Sequence, residues 1–247
     1  MAMVLTVLAS FFTSALSAVL GVAGGVTLMA VMLTTIPTYA VIPVHGVAQL
    51  VSNTSRFLLM LKSVEWPIFF RFLCGLIPAS FLGVSLSGLL SETGLKTLMA
   101  VFILVSTWFP VGGLARFLGS RQSFIGAGML TGVVSMLVGA AGPMLAPFFL
   151  QTGLKREAMI ATQAACQFFQ HLIKIVLFGV ILDFDYREYS ALLVCLAVAA
   201  IAGTVAGRKF LQSQINEEQF RKALKIVLTL IALKILVVDV ILKQTLS

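Results

Sequence analysis

VIPVHGVAQLVSNTSRF, residues 41–57, returns as MIATQAACQFFQHLIKI at residues 159–175. The offset is 159 − 41 = 118, and the two stretches align without a gap. It sets Gln49 on Gln167, Asn53 on His171 and Arg56 on Lys174. The same offset sets the GVAGG of 21–25 on the GAAGP of 139–143, and Glu65-Trp66 on Asp183-Phe184. The chain is therefore a duplication whose polar stripes and glycine-rich breaks recur together inside very apolar sequence. Breaks at matching places in two halves mark a secondary transporter with its site between the repeats.

Composition supports a membrane setting. The 247 residues are 60% hydrophobic and 11% charged, with mean hydropathy +1.07. A soluble domain carries about a quarter charged residues. Residues 1–55 and 122–154 contain no Asp, Glu, Lys or Arg, and roughly 20 apolar residues span a bilayer. Long apolar runs without period-2 alternation exclude a barrel. The opening MAMVLTVLAS has no basic segment and reads as no removable signal peptide. The formal charge of +8 then reports cytoplasmic loops and contact with lipid rather than nucleic acid. Cys74, Cys166 and Cys195 stand apart in apolar runs, with no metal or redox spacing.

Eight apolar elements follow: 3–35, 41–61, 72–90, 97–115, 122–150, 158–181, 189–207 and 226–242. The first and fifth are long and broken near their centres, at Gly21–Gly25 and Gly139–Pro143. Glycine and proline there release backbone groups from the helix ladder, which lipid tolerates only where protein or a water-filled cavity covers them. The basic residues decide the topology. If all eight elements cross, the Lys and Arg excess changes sides between the halves. If the first and fifth are re-entrant hairpins, Lys62, Arg71, Arg116, Arg121, Lys155, Arg156, Arg208, Lys209, Arg221, Lys222 and Lys225 all become cytoplasmic. Only Lys96, Arg187 and Lys243 then lie outside, as the positive-inside rule requires. The expected fold is an all-α polytopic membrane protein of two inverted repeats. Each repeat is a broken hairpin plus three transmembrane helices; the first covers 1–118 and the second 119–247, within one integral-membrane domain.

The hairpin tips and the stripes hold the candidate site. New helices should start near Val26 and Met144, with Pro143 in a first turn where its missing N–H costs nothing. Helix N-termini converging at the midplane favour an anion. Gly24, Gly25, Thr27, Gly142 and Pro143 supply the tips. His45, Gln49, Asn53 and Arg56 fall on one helical face at steps of three or four, and Gln163, Gln167, Gln170, His171 and Lys174 repeat the pattern. Amide donors suit the oxygens of a sulfonate, sulfite or carboxylate. Two readings of Arg56 and Lys174 stand: a symmetric pair that attracts or gates the anion, or side chains that snorkel to their interfaces. Glycine-rich tips also read as close helix packing, and the amides as interhelical glue. His45 and His171 are the only histidines. With no carboxylate in the middle of a span, a histidine or the substrate would carry any coupled proton. Lys234 reads as a cavity residue that pairs only loosely with Asp239. No metal-ligand cluster, nucleophile–base pair or phosphate loop is visible, so neither a cofactor nor catalysis is expected.

SALSAVLGVAGGVTLMAVML at 14–33 resembles the glycine-rich opening of the TauE/SafE family of sulfite exporters and related transporters. AVIPVHGVAQLVSNTSRFLLMLKSVEW at 40–66 resembles that family's second segment, with a Trp after a short basic turn. The resemblance covers essentially the whole chain. It implies an inner-membrane permease for small sulfur-containing anions such as sulfite, sulfoacetate or other organosulfonates. Two departures bear on the width of the site: Val26 stands where the family often has a third glycine, and Pro143 where a glycine is usual.

These readings combine into a secondary transporter that moves a small anion by alternating access, with a proton or ion gradient as its driving force. A channel using the same cavity, and a membrane scaffold or assembly factor, remain the alternatives. The small-residue faces at Gly83–Gly88 and Gly203–Gly207 would serve either a homodimer contact or packing within one chain.

Overall fold

The structure is a computed structural model, and it describes residues 1–20, 23–108, 123–150, 152–207 and 217–242. Among these residues every regular element is helical, as lipid demands of a spanning backbone. The chain is an all-α membrane protein. Trp66–Leu89, Glu157–Ile181 and Tyr186–Ala206 are each long and apolar enough to cross a bilayer. Large apolar side chains such as Phe81, Leu82, Val194, Val198 and Leu230 face outward over half exposed, a surface suited to lipid rather than water.

The first broken element is a helical hairpin. Helix α1 (Ala2–Leu20) runs to the tip and α2 (Ala23–Thr35) returns. Thr6, near the start of α1, donates its hydroxyl to Thr35 Oγ1 at the end of α2, at 2.8 Å. A continuous helix would hold these residues ~44 Å apart. Helix α2 is apolar all round and is sealed inside, with Leu28, Met29, Ala30 and Met32 fully buried. The arrangement predicts that the double variant Thr6→Cys/Thr35→Cys forms an oxidant-induced intramolecular crosslink, seen as a shift in gel mobility that reductant reverses. Absence of the crosslink in folded protein would overturn the doubling back.

Helices α3 (Thr38–Leu59), α4 (Trp66–Leu89) and α5 (Glu92–Trp108) complete the first half. Helix α4 starts six residues before the expected 72, because Pro67 occupies its first turn with φ already helical. The second broken element also doubles back, as α6 (Ser123–Val138) and α7 (Gly142–Leu150). Phe124 at the start of α6 meets Phe149 at the end of α7, with ring centroids 4.9 Å apart. Helices α8 (Arg156–Ile181), α9 (Ser190–Ala206) and α10 (Glu217–Lys234) follow, and α10 continues as a π-helix over Ile235–Leu242. Gly21, Val22, Gly112, Gly113, Arg116, Arg121, Arg208, Lys209 and Lys243 lie outside the described residues, as do the side chains of Arg156 and Arg221.

The helix directions are informative. Helices α3 and α8, which match under the 118-residue offset, pack antiparallel. Tyr39 meets Phe184 beyond the end of α8, the rings of His45 and His171 meet at 5.9 Å, and Phe57 stacks on Phe168. Helices α4 and α6 run parallel: a Cβ on Gly128 would strike the Phe72 carbonyl, and one on Gly132 the Leu76 carbonyl. Helices α1 and α9 also run parallel. Ser10 donates to the Leu196 carbonyl, while Gly203 and Gly207 press on the backbones of Phe11 and Ala15. Gly83, Gly203 and Gly207 thus pack within the chain; Gly83 meets Val133 and Met136.

One expectation fails. Lys234 pairs closely with Asp239, not loosely: its side chain is 49% exposed and its Nζ donates to Asp239 Oδ2 at 2.6 Å. The pairing is close because the backbone turns π between them, and i→i+5 geometry sets residues five apart on one face.

Candidate functional site

The two hairpin tips meet over the α3–α8 crossing. A cavity of about 20 Å³ lies between them, lined in part by Ser17, Gly25 and Val26 of the first hairpin and by Ala140, Ala141, Gly142 and Pro143 of the second. His45, Gln49 and Arg56 line it from α3, and Gln167 and His171 from α8. That volume admits about one water, so the tips are closed on one another. Helix α7 begins at this wall, with Pro143 in its first turn. The second arms start at Ala23 and Gly142, two to three residues earlier than expected.

Each cation is buried and is tied to its own hairpin. Lys174 is fully buried. Its Nζ donates to the Gly139 carbonyl at 2.6 Å and lies 3.4 Å from His171 Nδ1. Gly139 closes α6 at φ +81°, a left-handed C-terminal stop open to glycine at little cost. Its N–H returns to the Ser135 carbonyl at 3.1 Å. Lys174 therefore serves a carbonyl that the helix end leaves without a partner, at the negative end of the dipole. The lysine stem reaches it by passing Gly46, where a Cβ would sit 3.2 Å from Lys174 Cδ. Arg56, 8% exposed, makes the matching contact in the first half. Its Nη1 donates to Ser17 O at 3.3 Å and its Nη2 to Asn53 Oδ1 at 2.6 Å. Neither cation snorkels.

His45 joins the first tip to the stripe, with Nε2 2.9 Å from the Gly25 carbonyl. Gln49 lies against the same glycine, 3.5 Å from where a Gly25 Cβ would stand. The rest of the stripe stands behind the cavity wall. Asn53, Gln163 and Gln170 are buried but do not line the cavity. Thr27 is half-buried on α2 and also lies off the wall. Gly24 does not line this cavity: a Cβ there would collide with the Thr13 carbonyl and the Ser17 hydroxyl, so Gly24 lets the arms close. Ser17, Ala140 and Ala141 line the cavity without having been named as site residues from the sequence, because small residues beside a break carry no strong polar signal.

Electrostatics give the site its sign. No Asp or Glu is among the buried residues described, while a lysine and an arginine are. The side-chain N–H groups of Asn53, Gln163, Gln167 and Gln170 are buried without a hydrogen-bond partner. A buried unsatisfied amide costs ~1–3 kcal/mol, and an uncompensated buried ammonium several kcal/mol. Donors and positive charge held this way are relieved by an acceptor-rich anion. Among the described residues no His/Cys/Asp/Glu group is disposed to hold a metal.

No curated protein and no solved structure matches the chain. The family model described as sulfite exporter TauE/SafE matches residues 6–235. A hairpin-lined, donor-rich cavity in an all-α membrane protein accords with that match, and the chain belongs to the sulfite exporter TauE/SafE family of membrane transporters.

Proposed function

We propose that the chain is a multi-pass secondary transporter of the inner membrane, carrying small sulfur oxyanions, sulfite or organosulfonates such as sulfoacetate. The anion sits between the hairpin tips, held by Gln49, Gln167, His45, His171, Gly25, Gly142 and Pro143. Arg56 and Lys174 draw it in, and the amides of Asn53, Gln163 and Gln170 back the site. One observation carries the reading: buried Arg56 and the unsatisfied Gln167 amide line the cavity, Lys174 and the unsatisfied amides of Asn53, Gln163 and Gln170 are buried on the same two helices, and no Asp or Glu is among the described buried residues. Such a set is complementary to oxygens bearing negative charge.

The halves 1–118 and 119–247 act as inverted repeats. Antiparallel α3 and α8, with the parallel pairs α1–α9 and α4–α6, support that inversion. A cavity of about 20 Å³ is too small for a two-carbon sulfonate, so transport requires one repeat to rock against the other.

The test is uptake of labelled sulfite and a panel of two-carbon sulfonates by proteoliposomes, with and without a pH gradient. Wild type should show saturable, counterflow-competent flux. Gln49→Ala should lower apparent affinity by roughly 2–10-fold, as removal of one neutral hydrogen bond does. Flux without saturation or counterflow would make the protein a channel. No flux of any sulfonate, sulfite or carboxylate would leave a scaffold role.

A further inference from the structure

The two ring nitrogens of His45 have unequal surroundings. Nε2 lies 2.9 Å from the Gly25 carbonyl, and a carbonyl oxygen accepts only from an N–H. Nε2 therefore carries the proton. In the neutral ring Nδ1 is then a bare lone pair. It is buried and has no hydrogen-bond partner, although the ring lines the cavity. A buried lone pair with no donor is unfavourable, and a proton on Nδ1 turns it into a charge-assisted donor beside the cavity.

The charged groups around the ring are positive. Helix α8 brings His171, its ring 5.9 Å from His45, and Lys174 beside it. Arg56 follows on α3 itself. Helices α1 and α2 contribute no Asp, Glu, Lys, Arg or His, and neither do α6 and α7. An anion that enters among these groups attracts a proton on Nδ1. Anion and proton then favour each other's binding, as linkage requires.

From this geometry we infer that His45 Nδ1 is a coupling-proton site, so that one proton crosses with each anion. The inference rests on the transport reading above. The proton enters with the anion and sits on Nδ1, where its charge faces the anion in the cavity that the ring lines. On the far side the anion departs and the proton follows. A monoanion moved in this way carries no net charge across the membrane.

The experiment uses labelled ethanesulfonate in proteoliposomes holding a trapped pH dye. Ethanesulfonate is permanently ionised near neutrality, so any proton that moves with it is carried by the protein. Wild type should move about one proton per anion, and an imposed pH gradient should drive accumulation. His45→Gln keeps an amide N–H for Gly25 and cannot titrate; its ratio of protons to anions should fall to zero, whatever its rate. His45→Asn, with a shorter reach, is the second variant, and proton uptake on ethanesulfonate binding in weakly buffered detergent gives the ratio without turnover. A ratio of about one in either variant, or net anion uptake without protons in wild type, would overturn the proton site and leave the transport reading standing. Absence of any anion counterflow in wild type would instead overturn the transport reading itself.

Discussion

The Lys174→Met protein is expected to lose roughly 10- to 100-fold in anion affinity, because a charge-assisted hydrogen bond contributes about 1.5–3 kcal/mol and each ~1.4 kcal/mol is tenfold. Its melting temperature should stay within a few degrees of wild type or rise. The opposing terms are comparable. Losing the ammonium strands the Gly139 carbonyl at a cost of about 1–3 kcal/mol, while replacing a buried charge by an apolar chain of similar volume is often neutral or stabilising by ~1–4 kcal/mol. Lys174 is fully buried and no Asp or Glu is among the described buried residues, so the relief is large. Methionine follows the lysine stem past Gly46, which keeps packing constant. Counterflow of labelled sulfonate, read beside thermal unfolding of the same preparation, separates the effects. Intact affinity with a collapsed melting temperature would make Lys174 a clip for the second hairpin and nothing more.

Gly128→Ala should destabilise the protein by about 1–3 kcal/mol, as overpacking a close contact does. For a chain of this size that is a fall of roughly 2–12 °C in melting temperature. The added Cβ would land on the Phe72 carbonyl, with Leu76 N 2.8 Å away. Both are backbone atoms of α4, so no side chain can swing aside. Helix α6 must retreat from α4 and take Gly139 and the second tip with it. Gly126→Ala, on the same helix, is the matched control. A Cβ there meets nothing within 4 Å, and replacing helical glycine by alanine gains roughly 0.5–1 kcal/mol. Equal behaviour of the two variants in a thermal unfolding series would mean that the helices are not in backbone contact.

Much of this architecture was readable because the duplication and the charge distribution constrain each other. Sequence alone placed the breaks at Gly21–Gly25 and Gly139–Pro143, and positive-inside counting favoured hairpins there; the Thr6–Thr35 and Phe124–Phe149 contacts show both elements doubling back. The stripe was legible too, since period 3.6 put Gln49 and Gln167 on inward faces. The aim of the cations was not. Their spacing fits snorkelling and burial equally, and the choice turns on Gly46 and Gly139, which act through a missing Cβ and a positive φ. Gly24 was grouped with Gly25 at the glycine-rich tip, yet one step along a helix turns the backbone by ~100°, which sets Gly24 against the other arm. The Lys234–Asp239 pair depends on a π-helix, whose register no α-helical spacing rule anticipates.

The crossed pairing of α1 with α9 and α4 with α6 also bears on how the protein is made. A helix in α1 finds its parallel neighbour only when residues 186 positions further on have emerged, as the Ser10–Leu196 bond measures. At ~5–20 residues per second that is a wait of roughly 10–40 s. During that interval the first hairpin has buried serines and threonines but no partner to cover them. The insertion machinery must therefore shelter an unfinished first half, and it is α9, made late in synthesis, that locks the first helix in place.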